Sequence, residues 1–338
     1  MADKAVFTTA RSTRHQNDAL AVAPEGLAVT MLRSPERADL ASALADATIL
    51  VSERSGVIDA GLLSGAPELR LILRLGELTH DIDLEAARAA GVVVCRREQE
   101  GVLRVAEFCM LQMLALQRRL RESEDLARAA AETWVARRVT DENSFAFNWT
   151  RRSGLGGLHG RNVGILGFGE IGVALARRLQ GWGVSLRYNR RNRLPEAVEA
   201  ELGLTWLPAE TLLAQADVVV CLLPFTEQTH GWLDAEHLGA MKPGALLVSA
   251  GSGGIIDEAA LADAVASGHL AGAALDTFAT EPLESENPLV VLAGQGVNLL
   301  LTPHVAGGAP LEANTEFAAM WQPVRDFMVG CPPQGRLV

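Results

Sequence analysis

The sequence predicts an α/β protein of two domains, the larger built on a doubly wound parallel sheet. Three observations carry this. Short apolar runs of strand length alternate with helical patterns along most of the chain, which implies right-handed crossovers between parallel strands. A glycine-rich segment stands between a strand pattern and a helix pattern near the middle. The 338 residues suffice for two separate cores.

Composition narrows the function classes. Hydrophobic residues make up 49% and charged residues 21%, the mix of an ordinary globular protein. A formal net charge of −11 argues against a nucleic-acid partner, because neutralising phosphates needs a basic face. An anionic small molecule would need a local basic site. Cys95, Cys109, Cys221 and Cys331 show no CxxC spacing, and three lie in apolar runs where they read as buried free thiols. This predicts a reducing compartment and no metal site. The first 18 residues hold no apolar stretch of signal-peptide length, and no later segment reaches the roughly 18 apolar residues of a membrane span. A cytoplasmic protein without membrane contact is expected.

The elements follow in order. From Leu27 to about Val94, the runs ATILVSE (47–53), LRLILRLG (69–76) and GVVVCR (91–96) read as strands, with a helix over 83–90 between the last two. Residues 102–132 form a long helical pattern, apolar at first and charged after Arg118. It is either one helix that starts buried and then projects, or a core helix that breaks near Arg119. Residues 140–158 are rich in turn formers without a clear period and read as a surface loop.

A second series begins at Gly160. A strand over 163–166 runs into Gly167-Phe168-Gly169-Glu170-Ile171-Gly172, then a helix, then a strand over 184–188. In that position the glycines have mechanical roles: Gly167 allows the tight turn, Gly169 lets backbone approach a pyrophosphate, and Gly172 lets the helix pack close to the strand. The helix start, with Glu170 and Ile171, offers N–H groups to phosphate. This is the fingerprint of a Rossmann-type dinucleotide site. An acidic residue commonly ends the second strand of an NAD site, whereas a 2′-phosphate calls for arginine. Here the chain reads Asn189-Arg190-Arg191-Asn192-Arg193, so NADP is the expected cofactor and NAD the alternative. Strands ADVVVCLLP (216–224), GALLVSAG (244–251), AGAALD (271–276) and LLLTP (299–303) complete the series and should all end on one side of the sheet.

The ordered motifs GILGFGEIG, DVVVCLLPFTEQTHGWL, MKPGALLVSAGSGGIIDEAAL, GAALDTFATEPL and TPHVAGG resemble the D-2-hydroxyacid dehydrogenases over roughly residues 67–308. The resemblance implies a nucleotide-binding domain over 104–304 inserted into a smaller, discontinuous flavodoxin-like substrate domain of residues 1–103 and 305–338, with a cleft between them. It also implies a homodimer and a small-molecule substrate. By the same resemblance His304 is the general acid–base and Glu281 its partner. Hydride chemistry at a carbonyl needs a proton donor at the oxygen, and imidazole serves in both directions near neutral pH. Asp276 is expected at the nicotinamide carboxamide, and Leu223, Pro224, Thr229, Ala250, Gly251, His304 and Gly307 beside the cofactor.

The substrate-facing segments depart from the family. Ser252 stands before Gly253-Gly254 where relatives carry the arginine that clamps a carboxylate bidentately. Gly76-Glu77-Leu78-Thr79-His80 replaces a glycine-rich carboxylate loop, and residues 96–102 replace an asparagine- and proline-containing turn. Two readings follow: a reductase or dehydrogenase whose altered loops take another carbonyl substrate, with Arg96, Arg97, Arg104 and His80 as candidate contacts, or an NADP(H)-binding sensor or scaffold without turnover. Retention of His304 and Glu281 favours the first.

Overall fold

The computed structural model describes residues 3–53, 56–130, 136–308 and 313–338. It opens with β1 (Lys4–Thr9), α1 (Thr13–Ala21), β2 (Ala28–Arg33), α2 (Arg37–Leu44), β3 (Ile49–Ser52), α3 (Ala60–Ser64), β4 (Leu71–Leu75), α4 (Leu84–Ala89) and β5 (Val93–Arg97). Helices α5 (Glu100–Gln117) and α6 (Leu120–Ala129) follow. The second series is β6 (Asn162–Leu166), α7 (Glu170–Leu179), β7 (Ser185–Asn189), α8 (Glu196–Leu202), β8 (Leu204–Trp206), α9 (Ala209–Gln215) and β9 (Val218–Cys221). It continues through α10 (Ala235–Ala240), β10 (Leu246–Ser249), α11 (Glu258–Ala266), β11 (Gly272–Leu275), α12 (Pro288–Ala293) and β12 (Leu299–Leu301), and the chain closes with α13 (Ala313–Met320) and α14 (Gln322–Met328). Two compact units result, Met1–Leu103 with Gly308–Val338, and Arg104–Gly307.

The first unit holds a parallel sheet in the order β2-β1-β3-β4-β5, a flavodoxin-like arrangement. Strand periodicity divides its core between the two faces. Val6, Leu50, Ile72 and Val94 pack on one face against Leu40, Leu44 and Leu62, while Phe7, Val51 and Leu73 pack on the other with Trp321 and Val324. Trp321 anchors the returning C-terminal segment: it lies edge-on to Phe7 at 5.7 Å and its indole N–H donates to the Ala19 carbonyl at 2.8 Å. Strand β1 lies upstream of the alternation that begins at Leu27 and is an addition to the expected elements. Its residues after Lys4 are all buried, so it shows a short run instead of the alternation of a one-sided strand.

The second unit holds seven parallel strands in the order β12-β11-β10-β9-β6-β7-β8. The order reverses between β6 and β9, and at such a switch point doubly wound sheets open a ligand crevice beyond the carboxyl ends of their strands. On β6 a Cβ at Gly164 would stand 2.6 Å from Leu212 Cδ2, so glycine there is what allows α9 to close on the sheet.

The long helical pattern is broken. Arg119 adopts φ +46° between α5 and α6, so of the two expected arrangements the break is the one found. Helix α5 buries Ala106, Cys109, Met113 and Leu116, whereas α6 buries none of its residues. The expected helix end at Ala131 and Glu132 lies outside the described residues. The expected loop, 140–158, carries neither helix nor strand. Cys95, Cys109 and Cys221 are buried and Cys331 is exposed. No described helix is long and apolar enough to cross a membrane.

Candidate active site

The turn from β6 into α7 is shaped by what its glycines exclude. Gly167 has φ +86°, and a Cβ on it would stand 2.7 Å from the Leu223 nitrogen and 2.8 Å from the Leu222 carbonyl carbon. The turn therefore lies backbone against backbone on the end of β9. Gly169 is the N-cap of α7 and has no atom within 4 Å of the Cβ position, so its outer side is open. Gly169 has no side chain with which to cap this helix start, an arrangement found at phosphate-binding helix termini. The third glycine differs from expectation. A Cβ at Gly172 would meet the Phe168 ring at 2.9 Å, so this glycine makes room for a ring packed 4.9 Å from Tyr188, and the close helix-to-strand approach belongs to Gly164.

The ends of β9 and β10 converge beside this turn. The amides of Ala250 and Gly251 donate to the Cys221 carbonyl, and the Ser252 amide donates to Leu223 O at 3.1 Å. Thr229 Oγ1 donates to the Pro224 carbonyl at 2.7 Å and accepts from the Thr226 amide at 2.8 Å, closing the turn after β9. The structure thus gathers Leu223, Pro224, Thr229, Ala250, Gly251 and Ser252 at one end of the sheet.

At the end of β7, the Asn189 side chain donates to the Leu207 carbonyl at 2.8 Å, Arg190 is half-buried and Arg191 is exposed. Arg193 is exposed but committed to a buried partner in its own unit. Its guanidinium grips Glu199 through two bonds of 2.8 and 2.6 Å, and Tyr188 donates its hydroxyl to the same carboxylate at 2.7 Å. Arg193 and Tyr188 hold the Glu199 carboxyl below its ordinary range against the opposing pull of burial. Burial, then the hydrogen bond to Glu199, pushes the Tyr188 phenol to about 12. Of the three cations, Arg193 is thus taken up by Glu199, while Arg191 is exposed.

His304 and Glu281 come together. The ring Nδ1 lies 2.8 Å from Glu281 Oε2, and the other carboxylate oxygen accepts the Phe278 amide at 3.0 Å. Burial pushes the Glu281 carboxyl up, but the bonds from His304 and Phe278 outweigh it and leave the group below its usual value. The His304 side chain is 63% exposed, and with Nδ1 engaged its Nε2 is the atom left for exchange with a substrate. Its backbone has φ +54°, uncommon outside glycine.

Asp276 is fully buried at the end of β11. Its oxygens accept the Thr302 hydroxyl at 2.7 Å and the amides of Val305 and Ala306 at 3.0 and 2.8 Å, all within the turn that carries His304. The turn 252–254 packs on the same region: a Cβ at Gly253 would stand 1.9 Å from the Phe278 carbonyl oxygen, and Thr277 Oγ1 donates to Gly251 O at 2.9 Å. Beside Gly254 lie the rings of Phe225 and His230, edge to face at 5.5 Å. Sequence reasoning singled out neither these two rings nor Glu199; TEQTHG lies within a quoted motif, but nothing in its spacing brings His230 to Gly254. Gly307, also expected near the cofactor, sits at the end of this unit and has open space at its Cβ position. Among the described residues no group of three or more His, Cys, Asp or Glu is placed to hold a metal ion.

Residues 110–306 match the family model described as D-isomer specific 2-hydroxyacid dehydrogenase, NAD binding domain. A D-3-phosphoglycerate dehydrogenase of Mycobacterium leprae is 34% identical over 287 residues, which cover 84% of this chain and 50% of that protein. The chain thus spans about half the length of this curated relative. A glyoxylate reductase of Thermococcus onnurineus is 35% identical over 261 residues, 77% of this chain and 73% of the relative. Among solved structures, an NADPH-dependent glyoxylate/hydroxypyruvate reductase from Sinorhizobium meliloti, in complex with NADP and malonate, shares 26% identity at a TM-score of 0.54, covering 100% of this chain and 97% of its own. With its parallel sheet, its glycine turn at the switch point and this match over more than half its length, the chain belongs to the D-isomer specific 2-hydroxyacid dehydrogenase family.

Proposed function

We propose that this chain is an NADP-preferring oxidoreductase that interconverts a carbonyl and a hydroxyl group on a small molecule it recognises without an arginine clamp. The observation that carries the reading is the His304–Glu281 pair at 2.8 Å at the carboxyl edge of the second unit's sheet. The residues there fit a dinucleotide. Gly167 keeps the turn low against Leu222 and Leu223, Gly169 leaves the start of α7 open, and Arg190 and Arg191 supply positive charge beyond β7. When bound, the nicotinamide supplies or accepts the hydride. Glu281 holds the imidazole by Nδ1, so that Nε2 delivers a proton to the carbonyl oxygen during reduction and withdraws it during oxidation. Ser252 offers one hydroxyl where relatives place a guanidinium fork, and Phe225 and His230 flank its turn, which suits a neutral or apolar substituent better than a carboxylate.

In this reading residues 104–304 carry the dinucleotide and residues 1–103 with 305–338 the remaining substrate contacts, in a cytoplasmic homodimer. The test is His304→Ala. Oxidation of NADPH with a panel of 2-keto acids, neutral ketones and aldehydes should fall by at least about a hundredfold, the low end of the usual worth of a general acid–base, while NADPH affinity holds. Undiminished turnover removes His304 from the mechanism. The loss of arginine at Ser252 favours a second reading, an NADP(H) sensor or scaffold, and tight NADPH binding without turnover by the wild type across the panel would establish it.

A further inference from the structure

We propose that Asp276 is a positioning residue: it does not meet the substrate but holds the turn 302–306 so that His304 faces Glu281. This rests on the reading of His304 as the acid–base. Beside the carboxamide contact that family resemblance implies, the side chain is fully buried and both its oxygens are engaged by the turn itself. The three donors, Thr302 Oγ1 and the amides of Val305 and Ala306, flank His304 on both sides along the chain.

The turn needs such a tie. His304 occupies the left-handed backbone region, where a residue with a Cβ persists only when its surroundings over-determine it. The backbone adds His304 N to Thr302 O at 3.0 Å and, at the start of the turn, Thr302 N to Leu275 O at 3.0 Å, neither of which reaches past His304 to Val305. Two carboxylates from one loop therefore fix the histidine: Asp276 from below through the main chain, and Glu281 from the side through Nδ1. The charge of Asp276 is also felt across the core. Burial, with Asp276 adding to it, pushes the Cys109 thiol on α5 to about 12. An isolated buried carboxylate would be strongly unfavourable, and bonds from two amides and a hydroxyl are what keep it in place.

The experiment reads the tautomer of the His304 ring, since the partner of one ring nitrogen decides where the proton sits. Long-range 15N–1H spectra of the full chain at alkaline pH, assigned by loss of the signal in His304→Ala, should show the Nδ1–H form in the wild type. Glu281→Ala should return the ring to the Nε2–H form. The inference expects Asp276→Asn to do the same, because an amide cannot accept at both oxygen positions. Thr302→Val removes one donor with little change of shape and should shift the signal part-way, which keeps the test open should Asp276→Asn fold poorly. Retention of the Nδ1–H form in Asp276→Asn, with or without weaker NADPH binding, overturns the inference. If Glu281→Ala leaves the tautomer unchanged, the pairing beneath the inference fails first, and both fall together.

Discussion

Alanine placed at the first and second glycines of the α7 turn should produce opposite phenotypes. At position 167 the new methyl would stand 2.7 Å from Leu223 N and 2.8 Å from Leu222 C, with backbone on the far side that cannot rotate away. The φ of +86° adds the left-handed penalty. That penalty is about 1–2 kcal/mol and over-packing adds about 1–3, so Gly167→Ala should cost about 2–5 kcal/mol. For a domain of this size about 1 kcal/mol moves the melting temperature by roughly 2–4 °C, which places the fall at about 4–20 °C. At position 169 the Cβ site is empty to 4 Å and φ is −112°, so nothing in the protein resists a methyl. Gly169→Ala should leave the melting temperature unchanged or raise it slightly, through the unfolded chain. Its methyl enters the space assigned to the pyrophosphate, and NADPH affinity should drop at least tenfold, about 1.4 kcal/mol. Thermal melts paired with fluorescence titration of NADPH separate the two. Wild-type affinity in Gly169→Ala, or an unmoved melting temperature in Gly167→Ala, would refute this account of the turn.

Arg191→Ala should erase a preference for NADPH over NADH, while Arg193→Ala should lower stability and change the preference little, because Arg193 is engaged by Glu199; paired dissociation constants check both. Glu199 titrates below its ordinary value when folded, so its contribution to stability is complete above the unfolded carboxyl value of about 4.3 and is lost as pH falls through the folded one. Melting temperatures followed downward from pH 5 should therefore fall more steeply for the wild type than for Glu199→Gln, and parallel curves would contradict the assignment. Ser252→Arg restores the charge of the family's clamp. It should raise turnover on glyoxylate by about tenfold or more if the clamp alone was lost, and no gain would place the exclusion in the first unit's altered loops.

The sheets were legible because parallel strands buried on both faces appear as near-continuous apolar runs: β9 is one throughout, β3, β6 and β10 are broken only by a polar residue at one end, and β4 only by the buried Arg74. Strand β1 is as fully buried, but a single short run near the chain start has no preceding helix pattern to set it in a series. The His304–Glu281 pair was readable through motif order. The fate of Arg193 was not: it meets Glu199 six positions on, a separation that matches no helical neighbour rule and needs the turn before α8 to bring the two together. The role expected of Gly172 falls to Gly164, which the sequence reading did not single out, for a similar reason. Which side chain fills the space over a glycine depends on its neighbours in three dimensions, Phe168 in one case and Leu212 in the other.

The break at Arg119 lets the start of α6 serve as the border of a sheet. Strand β12 is three residues long and, among the described residues, pairs with β11 alone, so its outer carbonyls would be left for another chain to pair with. Beyond the break, Arg121 donates to the carbonyls of Leu299 and Ala293, and Asn298 reaches back to the Leu116 carbonyl. The strand that leads to His304 is thus clasped from outside by a helix pair whose bend brings it there. Loosening that clasp should free the histidine's end of the sheet while the nucleotide turn, four strands inward, stays intact, and the protein would then lose turnover under mild denaturant before it loses its cofactor.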